Sequence, residues 1–269
     1  MQPEIDLGPI TLQTFGIMFA LGFVCAGVLL GKRLVELGKP VDWAYEMVFS
    51  ALAGGFIGAR VYYMVQNWDQ VQDDFFGSLF SGSGLVWYGG AIGGAIAVLL
   101  WARYRDFLGL ALLDLCAPAL AIGYAVGRIG CQLSGDGDYG KPTDLPWAMS
   151  YPDGTVPTTQ EVHPTPIYEA IAMGFIALVL WRLRDRFRPG VLFALYLVLS
   201  GAERFLVEFI RLNDKVLAGL TVPQLESVAL MVIGSVWLVL AARGSGLRGE
   251  PTEPTTSGSR SPQPSPGAS

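Results

Sequence analysis

The sequence predicts an all-α polytopic integral membrane protein of about seven transmembrane helices, N-terminus outside and C-terminus cytoplasmic, with a small outer loop region. Three observations carry that prediction. The 269 residues are 52% hydrophobic and only 15% charged, where soluble domains average about a quarter charged, and mean hydropathy is +0.44. Apolar runs long enough to cross a bilayer, roughly 20 residues, recur along the chain. Lys and Arg gather after alternate runs, which assigns a side to each end.

The first run, 12–31, contains no charge, and the first Lys or Arg of the chain is Lys32. Without a basic segment before it, this run is expected as a retained span rather than a cleaved signal. Further spans are expected at 43–65, 84–102, 108–133, 165–181, 190–211 and 221–242. Glycine pairs four residues apart, Gly54/Gly58, Gly90/Gly94 and Gly123/Gly127, suit close helix packing in a bilayer. After the odd-numbered spans stand Lys32, Arg33, Lys39, Arg103, Arg105, Arg182, Arg184, Arg186, Arg188, Arg243 and Arg248, whereas the alternate loops hold only Lys141 and Lys215. The outer side therefore receives the loops 67–84 and 134–163. Residues 1–243 form the transmembrane domain, and the Gly/Ser/Pro/Thr-rich remainder, 244–269, is expected as a disordered cytoplasmic tail.

Cys25, Cys116 and Cys131 give neither a disulfide framework nor metal spacing, and a single histidine, His163, excludes a histidine metal cluster. No metal, cofactor or nucleic-acid partner is expected. The anomaly lies in the arginines. Arg60, Arg128, Arg204 and Arg211 fall within or at the ends of apolar spans, where a cation at the bilayer centre costs about 2.5–3.5 kcal/mol. In ERFLVEFIR, the spacing of Arg204, Glu208 and Arg211 puts all three on one helical stripe. Glu208 pairs with one arginine, leaving surplus positive charge. Arg128 has no acid within four residues, and the glycine-rich segment after it, GRIGCQLSGDGDYG, carries Asp136 and Asp138. An anion site and a salt-bridge ladder that merely locks helices are both open. For an anion, a lipid phosphate suits the bidentate guanidinium fork. The two aspartates are candidates to bond a glycerol hydroxyl or orient the arginine, with a calcium loop as the alternative.

GRIGCQLSGDGDYG resembles the signature of the prolipoprotein diacylglyceryl transferases. LQTFGIMFALGF, GGFIGARVYY, GLVWYGGAIGG (at the family's H-G-G), DLCAPALAIGYAVGRIG, HPTPIYEA and ERFLVEFIR also fit in order, so the resemblance covers residues 10–240. It implies seven helices in the bacterial cytoplasmic (inner) membrane, around a site open outward and sideways to membrane lipids. The implied reaction moves the diacylglyceryl group of phosphatidylglycerol onto the lipobox cysteine thiol of a prolipoprotein signal peptide, forming a thioether and releasing glycerol phosphate. By the same resemblance, Arg128 and Arg204 hold the phosphate and Glu208 positions Arg204. Arg60, Arg211, Gly89, Gly90, Cys131, Asp136 and Asp114 complete the expected substrate-binding set.

Three positions depart from the family. Tyr88 stands at the histidine of H-G-G, Cys131 at the asparagine of G-R-x-G-N, and Phe15 at a first-span tyrosine. A thiol with a pKa near 8.5 is already a few per cent ionised at neutral pH, so a dedicated base helps without being required. Tyr88 is a candidate to bond the substrate, and His163 a remote substitute base or simply a helix-entry residue. Cys131 is a candidate covalent nucleophile or a small replacement for asparagine. A non-catalytic paralogue that binds lipid or lipoprotein is the alternative function. A transporter of small phosphorylated solutes is another, although no inverted repeat is legible.

Overall fold

A computed structural model describes residues 1–71, 86–244 and 246–248. Most of the expected outer loop 67–84, and the tail beyond Arg248, lie outside the described residues. Seven helices of 17 residues or more account for the expected spans among the described residues. They are α1 (Thr14–Glu36), α2 (Asp42–Gln66), α3 (Trp87–Tyr104), α4 (Leu110–Ser134), α5 (Thr165–Leu183), α6 (Val191–Val207) and α7 (Val222–Gly244). By length and hydropathy α1, α2, α4, α5 and α7 suffice to cross a membrane. The others are shorter, α3 having 18 residues and α6 17. At 1.5 Å per residue α6 extends about 26 Å, below the roughly 30 Å of hydrocarbon. The run expected to 211 stops because the chain tightens into a 3-10 turn at Glu208–Ile210 and Arg211 is extended.

The bundle is built from tightly packed neighbours: α2 with α3, α1 with α4, α4 with α5 and α6 with α7. One core gathers Leu34, Met47, Ala102 and Leu112, and another Ala121, Met173, Leu180 and Leu192. Large apolar side chains face outward, among them Phe49, Phe56, Val65, Leu100 and Phe175, as a lipid-facing surface requires.

The α2–α3 contact is closed backbone against backbone. A Cβ built at Gly58 would lie 2.7 Å from the Gly93 Cα, and one at Gly54 would lie 2.6 Å from the Gly93 carbonyl oxygen. Gly89 meets the Gly58 carbonyl and the Tyr62 side chain just as closely. The seam therefore uses Gly89 and Gly93, one residue off the expected Gly90/Gly94 pair. This assigns Gly89 to helix packing, while Gly90 makes only an ordinary contact, 3.5 Å from the Gly55 carbonyl oxygen. In the third expected pair Gly123 faces Gly22 of α1, but Gly127 has nothing within 4 Å.

Two helix starts are built by side chains. Thr221 and Gln224 form a capping box: the Thr221 N–H donates to Gln224 Oε1 at 3.1 Å and the Gln224 N–H to Thr221 Oγ1 at 3.4 Å. At the start of α6, Asp114 of α4 accepts the N–H groups of Gly190 (2.7 Å) and Phe193 (2.8 Å). Asp114, expected in the substrate-binding set, thus caps a neighbouring helix. It lies near the start of α4, fourteen residues and some 21 Å along the helix from Arg128, and it satisfies helix donors that have no partner of their own.

One end of the bundle carries three two-stranded antiparallel hairpins. β1 (Glu4–Leu7) pairs with β2 (Ile10–Gln13), β3 (Met149–Tyr151) with β4 (Thr158–Val162), and β5 (Lys215–Leu217) with β6 (Leu220–Thr221). The other end holds the ion pairs Arg33–Glu36, Arg33–Asp185, Arg184–Glu36 and Arg105–Glu46. There Leu247 accepts the Arg188 N–H and Arg248 its Nε–H, so two residues of the expected tail are bonded to the α5–α6 turn.

Candidate active site

Four segments meet at the hairpin end. Arg128 comes from the last turns of α4, Glu169 from the first turns of α5, Arg204 from the end of α6, and Glu208 and Arg211 from the turn beyond it. Asp138 enters from the segment after α4. That segment leaves the helix at Gly135, whose positive φ of 60° accompanies an N–H bond to the Cys131 carbonyl. Gly140 then lets the chain pass close to the Ile210 carbonyl oxygen, 2.6 Å from where a Cβ would stand. The Gly140 N–H bonds the His163 carbonyl, the Lys141 N–H bonds the Ile210 carbonyl, and Lys141 Nζ donates to the Phe209 carbonyl at 2.7 Å. The glycines of this segment admit peptide, and so hold Asp138 in place.

Glu169 is the hub. Its side chain is 0% exposed, and Arg128 Nε lies 2.5 Å from Oε2. Arg204 Nη1 donates to Oε1 at 2.8 Å, and Arg211 Nη1 is 3.5 Å from the same oxygen. Arg204 also pairs with Glu208, Nη2 to Oε2 at 3.0 Å. Asp138 pairs with Arg128 on one oxygen and Arg211 on the other, and its backbone carbonyl accepts from Arg211 Nη1 at 2.9 Å. Burial works against ionisation of Asp138, but Arg128 and Arg211 outweigh it and hold its carboxyl below the ordinary value of 3.8. Arg128 also stacks over the Tyr124 ring, 4.8 Å from its centroid.

Three guanidiniums thus face three carboxylates. This corrects the expected surplus of positive charge, because Glu169 and Asp138, remote in sequence from ERFLVEFIR, supply the missing anions. The single helical stripe also needs correction: Arg211 has left the helix and returns through Asp138 and Glu169. The cluster is not closed by hydrogen bonds, however. Among the described residues Arg211 Nε has no acceptor, and Glu169 Oε2 and Glu208 Oε2 accept no hydrogen bond although they carry ion pairs. The Arg128 and Arg204 side chains are 15% and 21% exposed against 0% for Glu169 and Glu208. Glu169 and Glu208 therefore back the arginines from inside, whereas Asp138, 33% exposed, meets Arg128 and Arg211 from the outer side.

Other expected residues fall nearby or apart. Cys131, Asp136 and Asp138 each bring a ligand atom within 4.8 Å of the others. Arg128 and Arg211 already occupy Asp138, so the positive charge a cation would contribute is supplied by guanidinium. Asp136 accepts the Asp138 N–H at 3.3 Å, a local turn contact. The buried Cys131 Sγ lies 3.9 Å from Arg128 Nη1. Arg60 is buried on α2 with its guanidinium over the Tyr63 ring, 5.2 Å from the centroid. Tyr88, in the first turn of α3, donates its hydroxyl to Glu226 of α7 at 2.8 Å. His163 lies beside the Tyr168 hydroxyl, 3.4 Å from its Nδ1, and serves the Gly140 crossing. Glu169 escaped the sequence reading, although a lone acid in an apolar helix is as anomalous as the arginines.

A sequence profile described as prolipoprotein diacylglyceryl transferase matches residues 3–240. A phosphatidylglycerol–prolipoprotein diacylglyceryl transferase of Clostridium tetani is 33% identical over 238 residues, covering 87% of this chain and 95% of the relative. Proteins of the same name from Leptospira interrogans (strain Fiocruz L1-130) and Mannheimia succiniciproducens are 32% and 31% identical, covering 76% and 90% of this chain and 73% and 94% of the relatives. The match runs through every helix that contributes to the arginine–carboxylate cluster, and on that extent the chain belongs to the prolipoprotein diacylglyceryl transferase family.

Proposed function

We propose that this chain transfers the diacylglyceryl group of phosphatidylglycerol to the lipobox cysteine of a prolipoprotein signal peptide, at the outer face of a bacterial cytoplasmic membrane. The names of its relatives support that reading. The observation that carries it is the convergence of Arg128 and Arg204, from different helices, on the buried Glu169. In the proposed topology all seven helices cross, with hairpins and cluster outside and the Arg33, Arg105 and Arg184 end in the cytoplasm. Residues 1–243 form the transferase domain and 244–269 a cytoplasmic tail.

The chemistry follows from charge. The lipid phosphate is a monoanionic diester. When the substrate sulfur attacks the diacylglyceryl carbon, the carbon–oxygen electrons leave with glycerol phosphate, which gains a negative charge. Arg128 and Arg204, fixed beforehand by Glu169 and Glu208 on their inner sides, present donors where that charge develops. One such donor is worth about 2.7–4 kcal/mol in a pre-organised site. Arg211 supports the pair through Asp138 and Glu169, Glu208 positions Arg204, and Tyr88 lies on the thiol side. The network bears no net charge of its own, so the phosphate enters by sharing guanidinium donors with the carboxylates.

Mass spectrometry tests this. Purified protein, phosphatidylglycerol and a lipobox peptide should yield a thioether-linked diacylglyceryl adduct on cysteine with release of glycerol phosphate. Folded protein that binds the lipid but yields no adduct would instead identify a non-catalytic paralogue.

A further inference from the structure

The bond from Tyr88 to Glu226 joins α3 to α7 at the same end of the bundle as the arginine cluster. α7 is tied to that cluster through Glu208. Thr221, its capping residue, donates to Glu208 Oε1 at 2.9 Å, and Glu208 pairs with Arg204. Glu226 follows Thr221 by five residues, so the anchor that sets α7 against Arg204 also sets the Glu226 carboxylate. Arg204 of α6 and Tyr62 of α2 are among the charged and titratable groups that act on the Tyr88 hydroxyl. Both members of the pair are exposed. A hydroxyl that donates to a carboxylate keeps its own lone pairs free. Tyr88 can therefore accept a hydrogen on its open side while giving one to Glu226.

We infer that Tyr88 and Glu226 form a two-residue proton relay that takes the hydrogen of the incoming substrate thiol, with Glu226 as its terminal acceptor. The inference rests on the transferase reading above. The thiol hydrogen passes to the phenol oxygen as the phenol hydrogen passes to Glu226, leaving a thiolate, a neutral phenol and a protonated carboxyl. The thiolate pair forms the sulfur–carbon bond while the carbon–oxygen pair departs on glycerol phosphate. Glu226, exposed at the bundle end, returns its proton to water. Tyr88 touches the thiol, whereas Glu226 acts through Tyr88 and is a positioning residue for it. A phenol alone is a poor base, so the carboxylate behind it gives a tyrosine the capacity for this role.

The size of the effect is bounded by the substrate. A thiol of pKa about 8.5 is roughly 3% ionised at pH 7, so losing the relay slows transfer by at most about 30-fold. The experiment compares wild type, Glu226→Gln and Tyr88→Phe at pH 7 on two lipobox peptides, one with cysteine and one with selenocysteine at the acceptor position. A selenol is already ionised at that pH and needs no base. The expected result is a 10- to 30-fold lower kcat on the cysteine peptide for both variants, an unchanged KM for phosphatidylglycerol, and full rate on the selenocysteine peptide. Equal turnover of cysteine peptide by Glu226→Gln and wild type would overturn the relay while leaving the transferase reading intact. Equal slowing on both peptides would also overturn it, by showing a structural role. A wild-type protein that transfers to neither peptide would overturn the transferase reading and the relay with it. Should Glu226→Gln fail to fold, Tyr88→Phe, which removes only the hydroxyl, carries the same comparison.

Discussion

Arg128 and Arg204 hold opposite oxygens of one buried carboxylate, Nε of the first 2.5 Å from Glu169 Oε2 and Nη1 of the second 2.8 Å from Oε1. Two helices are thereby set at a fixed separation, with their guanidiniums side by side and partly open.

Arg128 spans two carboxylates, Glu169 through Nε and Asp138 through Nη1. An ammonium has no fork and cannot bridge them while also facing a phosphate. Arg128→Lys is expected to insert normally and lose about 10²–10³ in turnover. Adduct formation per folded protein measures it, and near wild-type turnover would reduce Arg128 to a diffuse charge.

Glu169→Gln removes the anion shared by three arginines at a 0% exposed position. Uncompensated buried charge costs about 3–5 kcal/mol, so the thermal midpoint in detergent should fall well below that of the wild type. A midpoint within a degree of wild type would show that the arginines repair the loss among themselves.

Asp138 has a lowered carboxyl pKa, so its contribution to stability is present above the ordinary value of 3.8 and disappears as pH falls through the lowered one. In thermal scans across pH, the acid-side loss should be smaller in Asp138→Asn than in wild type, and the variant should be less stable at neutral pH. Parallel curves would mean that other groups govern acid unfolding.

Gly58→Ala places a methyl 2.7 Å from the Gly93 Cα. The Gly89 carbonyl oxygen lies closer still, and both neighbours are backbone that cannot yield, so α2 and α3 must separate, at a cost of about 1–3 kcal/mol. Gly127→Ala, with nothing within 4 Å, should leave the midpoint unchanged and is the control at a helix glycine outside the seam.

Asp114→Ala removes the acceptor for the Gly190 and Phe193 N–H groups. A lost helix cap costs about 0.5–2 kcal/mol. Stability should drop while KM for phosphatidylglycerol stays unchanged, and a raised KM would return Asp114 to the lipid site.

The helices were legible because hydropathy is a local property: each expected span has its helix within a few residues. Arg128 and Arg204 stood out because a charge inside an apolar run has few bland explanations. Their partners did not, since Glu169 lies more than thirty residues from each arginine, and the three-dimensional packing of α4, α5 and α6 decides the pairing. The glycine seam slipped by one residue for a similar reason. GGAIGG spells a four-residue spacing in two registers, and only the facing Gly54 and Gly58 choose between them. Asp114 shows the converse, because an acid in an apolar span looks the same in sequence whether it serves a ligand or a neighbouring helix.

Glu208 divides its work between its two oxygens. Oε1 takes the Asn213 amide at 2.5 Å and the Thr221 hydroxyl at 2.9 Å, whereas Oε2 faces Arg204 at 3.0 Å and Arg211 at 3.8 Å. An arginine can shift its grip during a reaction cycle without disturbing the hydroxyl on which the last helix begins. The scaffold is insulated from its own chemistry within a single side chain, and turnover need not be transmitted to the fold.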